Sequence, residues 1–395
     1  MQKKLIAAAV AGLLSVPAFA QSNVTISGLV KAGWESYKIT SCTTGFSCNN
    51  ESRVSDQSSR IIFNVLEDLG GGLKAWAQID SRYANDLGGG AIGSGNTGVG
   101  FMGNWGKFTI GRWDVHYGEF GAIESNRAGS LQTYAAPGIM SQVSGRAAAA
   151  IALTTVANGT RTPNILMWDS PNWNGFTARL AYTTSYAAGE GTGVGVSGRG
   201  NPGGGSAWTG ALRYNNGPWT AGVSYWNADS ESRVFSTRLN DQRSWRAWVG
   251  YTFAMGLKLG FGWDRSSVDN HFQGYASTVG AGTARRHAWF VPVSYSFGPH
   301  AVYGTYARAG HASGSNIAPS TGGDYKAHQW TIGYDYAFSK RTSAGVFYTK
   351  LNNHRNAANT AGGAYDMFGL GANGATATAR GEGARQIYIG MAHSF

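Results

Sequence analysis

Acidic residues are scarce in this chain. Against 32 Lys and Arg stand only 21 Asp and Glu, for a formal charge of +11 over 395 residues, and charged residues of all kinds make up just 13%. The bases are scattered and not gathered in one stripe, so the isoelectric point near 9.6 gives no footprint for a nucleic acid and no such partner is expected. Cysteine is nearly absent. Cys42 and Cys48 share the polar stretch SCTTGFSCNN, with five residues between them, no second Cys or His pair at metal-ligand spacing and no C-x-x-C motif. Catalytic signatures are missing too: there is no G-x-S-x-G elbow and no H-E-x-x-H. GVGVSG at Gly193 to Gly198 lies in a glycine-rich stretch without strand-to-helix context, and His271, His287, His300 and His311 show no ligand spacing. No enzyme activity, metal or cofactor is expected.

Long hydrophobic runs are also missing, with one exception at the start. MQKKLIAAAVAGLLSVPAFA carries Lys3 and Lys4, an apolar run from Leu5 to Val16 and a small-x-small end at Ala18 and Ala20. That is the pattern of a signal peptide, residues 1–20, cleaved before Gln21; the run is too short for a membrane helix and is broken by Gly12 and Ser15. Residues 21–395 then form one domain. They number 395 − 20 = 375 and carry +11 − 2 = +9. In an exported chain the two cysteines are expected to form a disulfide that closes a small loop.

Glycine and aromatics are abundant: 59 Gly, with 13% Phe, Trp and Tyr, argue for many strands and loose turns. The apolar period from Val24 onward is two. Val24, Ile26, Val30, Ala32 and Trp34 alternate with Thr25, Ser27, Lys31 and Glu35, and the pattern returns at Leu73 to Ile79, Trp245 to Phe253 and Trp330 to Phe338. About sixteen strands are predicted, starting near Val24, Arg60, Leu73, Gly98, Lys107, Asn164, Phe176, Trp208, Trp219, Trp245, Lys258, His287, Ala301, Gln329, Ser343 and Gln386. Tight connections such as EDLGGGL, NWGK, NNGPW and SFGPH alternate with long stretches rich in Gly, Ser, Ala and Asn.

A soluble sandwich would show the same alternation. The balance is tipped by Trp34, Trp105, Trp168, Trp173, Tyr182, Trp219, Tyr225 and Trp289, which cap the apolar side at strand ends as interfacial girdles would. The expected fold is therefore all-β, a transmembrane antiparallel barrel. A mean hydropathy of −0.23 suits a wall with lipid outside and water inside. In such a barrel the last strand, RQIYIGMAHSF, seals against the first. Strand parity places Lys31, Arg60, Lys74, Arg82, Arg179, Arg213, Arg246 and Lys258 on the lumen side, with Glu35, Asp80, Asp264 and Asp335, and a water-filled lumen would leave these charges solvated.

VTISGLVKAGWE, LEDLGGGLKAWAQID, GNWGKFTIGRWD, MWDSPNWNGF and the terminal IYIGMAHSF together resemble the general-diffusion porins of Gram-negative outer membranes, nearest to their betaproteobacterial branch. The resemblance implies a sixteen-stranded barrel assembled as a homotrimer, with its third long loop, here about Trp113 to Gly159, folded into the pore. It implies a constriction with Arg60, Arg112 and Arg161 on the basic side and Glu119 and Glu124 on the loop; Asn64 and Met167 depart from the family, which usually carries further basic residues there. It also implies that Tyr388, Gly390, His393 and Phe395 carry the signal read by the outer-membrane assembly machinery. Lipid and lipopolysaccharide would surround the barrel, and small anionic solutes would pass through it. The expected function is passive diffusion of small hydrophilic solutes and ions, favouring anions. The alternatives are an adhesin or receptor acting through the long loops Tyr186 to Ala207 and Leu351 to Ala384, and a barrel lipid hydrolase, for which no Ser/His pair stands out near one rim.

Overall fold

The computed structural model describes residues 22–41, 48–56, 59–124, 140, 161–184, 186, 206–229, 241–270, 282–311, 313, 326–353 and 383–395. Residues 1–20 and Cys42, on which the leader and half of the disulfide expectation rest, lie outside them. The strands are β1 (Ser22–Thr40), β2 (Glu51–Asp56), β3 (Ser59–Gly70), β4 (Leu73–Tyr83), β5 (Gly90–Ala91), β6 (Thr97–Gly103), β7 (Gly106–Asp114), β8 (Arg161–Asp169) and β9 (Phe176–Thr183). They continue through β10 (Ser206–Asn216), β11 (Trp219–Asp229), β12 (Asp241–Thr252), β13 (Leu257–Asn270), β14 (Gly282–Phe297), β15 (His300–Ala309), β16 (Ala327–Ala337), β17 (Thr342–Asn353) and β18 (Gly383–Ser394).

Every pairing is antiparallel, and β18 returns to β1 from Leu29 opposite Ser394 to Thr40 opposite Gly383. The sheet is therefore closed, and no strand edge is left to face lipid. β2 and β3 pair in turn along β1, so they are two lengths of one wall strand, and β5 is a two-residue rung on β4 beside β6. Removing those two from the eighteen leaves 18 − 2 = 16 wall strands.

Local chemistry sets the short turns. Gly70, Gly71 and Gly72 all take positive φ where β3 turns into β4, and the Asp68 carboxylate accepts the Gly70 N–H at 2.9 Å. The closing seam rests on another glycine. Gly28 and Phe395 exchange backbone hydrogen bonds of 3.0 and 3.2 Å, and a β-carbon on Gly28 would collide with the Phe395 ring. The Phe395 ring thus lies on the bare backbone of β1, at the seam where the barrel shuts.

Alternation divides the wall into two faces. Val24, Ile26, Phe63, Val65, Leu180, Ile332, Ile387, Ile389 and Met391 are exposed on the outside, where lipid covers an apolar band. Aromatic rings in mutual contact edge that band. Trp208, Tyr225 and Trp245 follow one another near the long-loop end; Trp219, Tyr251 and Phe253 do so near the short-turn end. Strands after long connections begin a few residues before the expected starts, at Asp241, Gly282 and Arg161. There the backbone ladder continues past the apolar band, so periodicity of side chains no longer marks it.

Candidate functional site: the lumen and its inserted segment

After β7 the chain turns inward. Val115 leads into a short 3₁₀ helix, His116–Ala122, followed by Ile123 and Glu124, and this segment lies against the inner face of the wall from β9 to β14. Apolar contacts seat it. Phe120 meets Trp248 and Phe290 edge-on, with ring centroids 6.2 and 5.1 Å apart, and Ile123 sits over Gly250 and Gly260, where a β-carbon would crowd it at 3.0 to 3.2 Å.

Polar contacts then fix its register. His116 is fully buried with Nδ1 2.7 Å from Ser224 Oγ and Nε2 2.8 Å from Ser244 Oγ. A neutral imidazole has one donor and one acceptor, which two hydroxyls satisfy. Burial, then the Arg246 charge, hold its pKa well below the ordinary histidine value. Arg246 donates to the His116 carbonyl at 3.0 Å, and Lys258 Nζ donates to the carbonyls of Ala122 and Glu124 at 3.3 and 3.1 Å.

Beneath this segment is a dry ionic hub. Asp264 accepts from Arg246 Nε at 2.9 Å, Arg286 Nη2 at 3.2 Å, Ser266 Oγ at 2.6 Å and Ser244 Oγ at 3.1 Å, and the side chains of all three ions are fully buried. Arg286 also donates to the Met140 carbonyl at 2.6 Å, which ties a further point of the same connection to the wall. These charges are not solvated as the parity argument expected. The inserted segment covers them and excludes water.

The sequence-predicted constriction residues fall into separate groups. Glu119 is held by Arg213 in a two-pronged contact, with Arg179 Nη1 3.7 Å from its carboxylate. Glu124 is buried beside Lys258, and burial raises its pKa to about 7 against the pull of Lys258 and Arg246. Arg161 pairs with Asp114 at 3.8 Å across the first rung of β8. Arg112 is exposed at the bulge between Gly111 and Trp113, close enough to Arg161 to feel its charge. Arg60 stands opposite Arg82 in the β3–β4 ladder and near Lys31, and Arg82 is bound to Asp80 by two contacts of 3.1 Å. Lys74, the remaining predicted lumen charge, starts the row that crosses β4 to β9.

Sequence reasoning missed Lys107, Asp169, His116 and Arg286. Parity carries a signal for Lys107 and Asp169, which are opposite each other on the lumen side. Nothing in the local pattern marked His116, because its hydroxyl partners are 108 and 128 residues away.

The lumen acids are largely spoken for. Glu35 is paired with Arg53, Asp80 with Arg82, Asp169 with Arg179 and Arg213, Asp264 with Arg246 and Arg286, and Glu119 with Arg213. Among the described residues Lys74 and Lys107 have no acid within ion-pair distance, which leaves uncompensated positive charge on the inner wall.

A closed sixteen-stranded barrel, apolar outside, with a charged lumen narrowed by an inserted connection, defines an outer-membrane pore. The chain belongs to the Gram-negative porin family, whose family model matches residues 7–356. It is 26% identical over 372 residues to an outer membrane porin protein of Bordetella pertussis, covering 87% of this chain and 92% of that one. It is 27% identical over 404 residues to outer membrane porin protein 32 of Delftia acidovorans, with both chains covered in full. Among solved structures it is similar to the anion-selective porin from Comamonas acidovorans, with a TM-score of 0.72 and 22% identity over 95% of this chain and 100% of that one.

Proposed function

We propose that this channel passes small hydrophilic solutes with a preference for anions, and that it works as a homotrimer. The observation that carries the preference is the charge balance just described: the lumen acids are occupied by arginines while Lys74 and Lys107 remain open, so the pore field favours negative charge. The name of the similar Comamonas porin points the same way, and a trimer form is known for the Vibrio cholerae protein OmpT, a structural neighbour. Arg60, Arg112 and Arg161 form the basic side of the constriction and Glu119 and Glu124 mark its loop side. The leader of residues 1–20 is removed on export, and Cys48, disulfide-bonded in the structure, pairs with Cys42. The seam at Gly28 supports a role for Phe395, with Tyr388, Gly390 and His393, in recognition by the assembly machinery.

Planar bilayers test the reading. Purified protein should give steady, discrete current steps, and under a potassium chloride gradient the reversal potential should take the sign of chloride permeation. A silent bilayer would overturn the channel, and a cation-signed potential would overturn the preference.

A further inference from the structure

The lumen side of β4 and β7 contains an arrangement that the anion field does not account for. Lys107 Nζ lies 3.4 Å from the centre of the Trp76 ring and 5.1 Å from that of Trp113, and the two indoles meet edge to face at 5.7 Å. The ammonium therefore sits in the corner of a T made by two indoles. The Trp76 Nε1–H donates to the Phe108 carbonyl at 3.0 Å, which locks the inner ring. Lys107 and Trp113 are only part-buried, so this corner is reachable from the lumen.

Lys107 makes no hydrogen bond and no ion pair among the described residues. Its nearest acid by register, Asp169, is taken by Arg179 Nε at 2.7 Å and Nη2 at 3.1 Å, with Arg213 Nη1 at 3.5 Å. Lys74, Lys107 and Arg179 lie in one row across β4, β6, β7, β8 and β9, through Met102 and Asp169. An ammonium laid on π faces keeps most of its donor capacity, and a ring carried in with an anion can stack on or meet the edge of the adjacent indole. A halide would use only the charge, and a neutral ring only the stacking.

We propose that Trp76, Lys107 and Trp113 form a subsite for planar aromatic carboxylates, with the carboxylate on Lys107 and the ring against Trp113. This rests on the channel reading and gives it a solute class. In bilayers, benzoate added at equal concentration should reduce the chloride current more than cyclohexanecarboxylate or acetate does. Chloride steps in the same bilayer report separately whether a channel is present. Binding is also read without any current, by saturation-transfer NMR of benzoate with detergent-solubilised protein. Lys107→Gln should weaken benzoate binding by about tenfold or more, as expected for loss of a charge-assisted contact. Trp113→Leu should weaken it by about fivefold, the size of one ring contact, and leave acetate unaffected. Lys340→Gln, in an exposed short turn, should change neither. Equal binding of benzoate and cyclohexanecarboxylate, or benzoate binding unchanged in Trp113→Leu, would overturn the proposal.

Discussion

Two arcs of the same wall share one sequence pattern and differ in water. Along β12, β15, β16 and β18 the inward positions are shut away almost without exception, from Gln242, Ser244, Arg246 and Trp248 to Ala384, Gln386 and Tyr388. Along β3, β4 and β6 most inward positions are half-exposed, among them Arg60, Asn64, Lys74, Gln78 and Arg82. Both arcs alternate with period two, and both place charge inward. Over β12 to β14 the burial comes from the segment after β7, through Phe120 against Trp248 and Phe290, the His116 carbonyl on Arg246 and the Met140 carbonyl on Arg286. A charge in the open arc shapes the field at little cost, whereas a charge in the covered arc must be paired, because an unpaired buried ion is expensive.

The sharpest way to break this contrast is to remove one acid from each arc. Asp264→Ala leaves the guanidiniums of Arg246 and Arg286 buried without their anion, and a loss of about 3–5 kcal/mol is expected. Asp169→Ala removes an acid that still reaches water, with 22% of its side chain exposed, and a loss of about 1 kcal/mol or less is expected. Thermal unfolding of the two variants in detergent measures the gap. Similar losses would mean that the two arcs are equally wet.

A smaller effect belongs to the open arc alone. Replacing Arg60 and Arg161 with glutamate should move the reversal potential in a salt gradient toward cations, whereas Arg341→Glu, in an exposed turn, should leave it in place. The Debye length falls from about 8 Å at physiological salt to about 3 Å at 1 M, so the shift should shrink as salt rises. An unmoved potential in the double variant would show that these arginines do not set the field.

The barrel itself was legible because lipid imposes a strict rule on every wall strand. The side chains facing it must be apolar, so alternation, the count of sixteen and the tight turns could all be read along the chain. The strand ends were less legible. Past the apolar band the backbone ladder continues with polar residues, as at Asp241 to Arg243, and β2 carries little periodic signal. Within the site, parity found Arg246 and Asp264 as lumen-facing but could not tell that they were dry. That depends on which connection folds back over them, and the contacts that decide it join residues more than a hundred positions apart, such as His116 with Ser224 and Ser244. For the same reason the resemblance singled out Glu119 without its partners Arg179 and Arg213.

The gentlest probe of the contrast is pH, because the segment that packs over β12 and β13 carries a titratable group there, Glu124 beside Lys258 and Arg246. Burial raises its pKa to about 7, with Lys258 and Arg246 pulling the other way, so the carboxyl is largely neutral at pH 6 and largely ionised at pH 8. The folded-state value lies above the ordinary 4.5. The group's contribution to stability is therefore complete below about 4.5 and is lost as pH rises through about 7. Ionisation also places a negative charge beside Lys258, whose ammonium is bound to the Glu124 carbonyl, and cancels one positive charge of the local field. Anion preference should accordingly fall as pH rises from 6 to 8, and Glu124→Gln should flatten that change. Reversal potentials taken at the two pH values, with and without the replacement, measure it. The same pH response in the wild type and in Glu124→Gln would place the titrating group elsewhere.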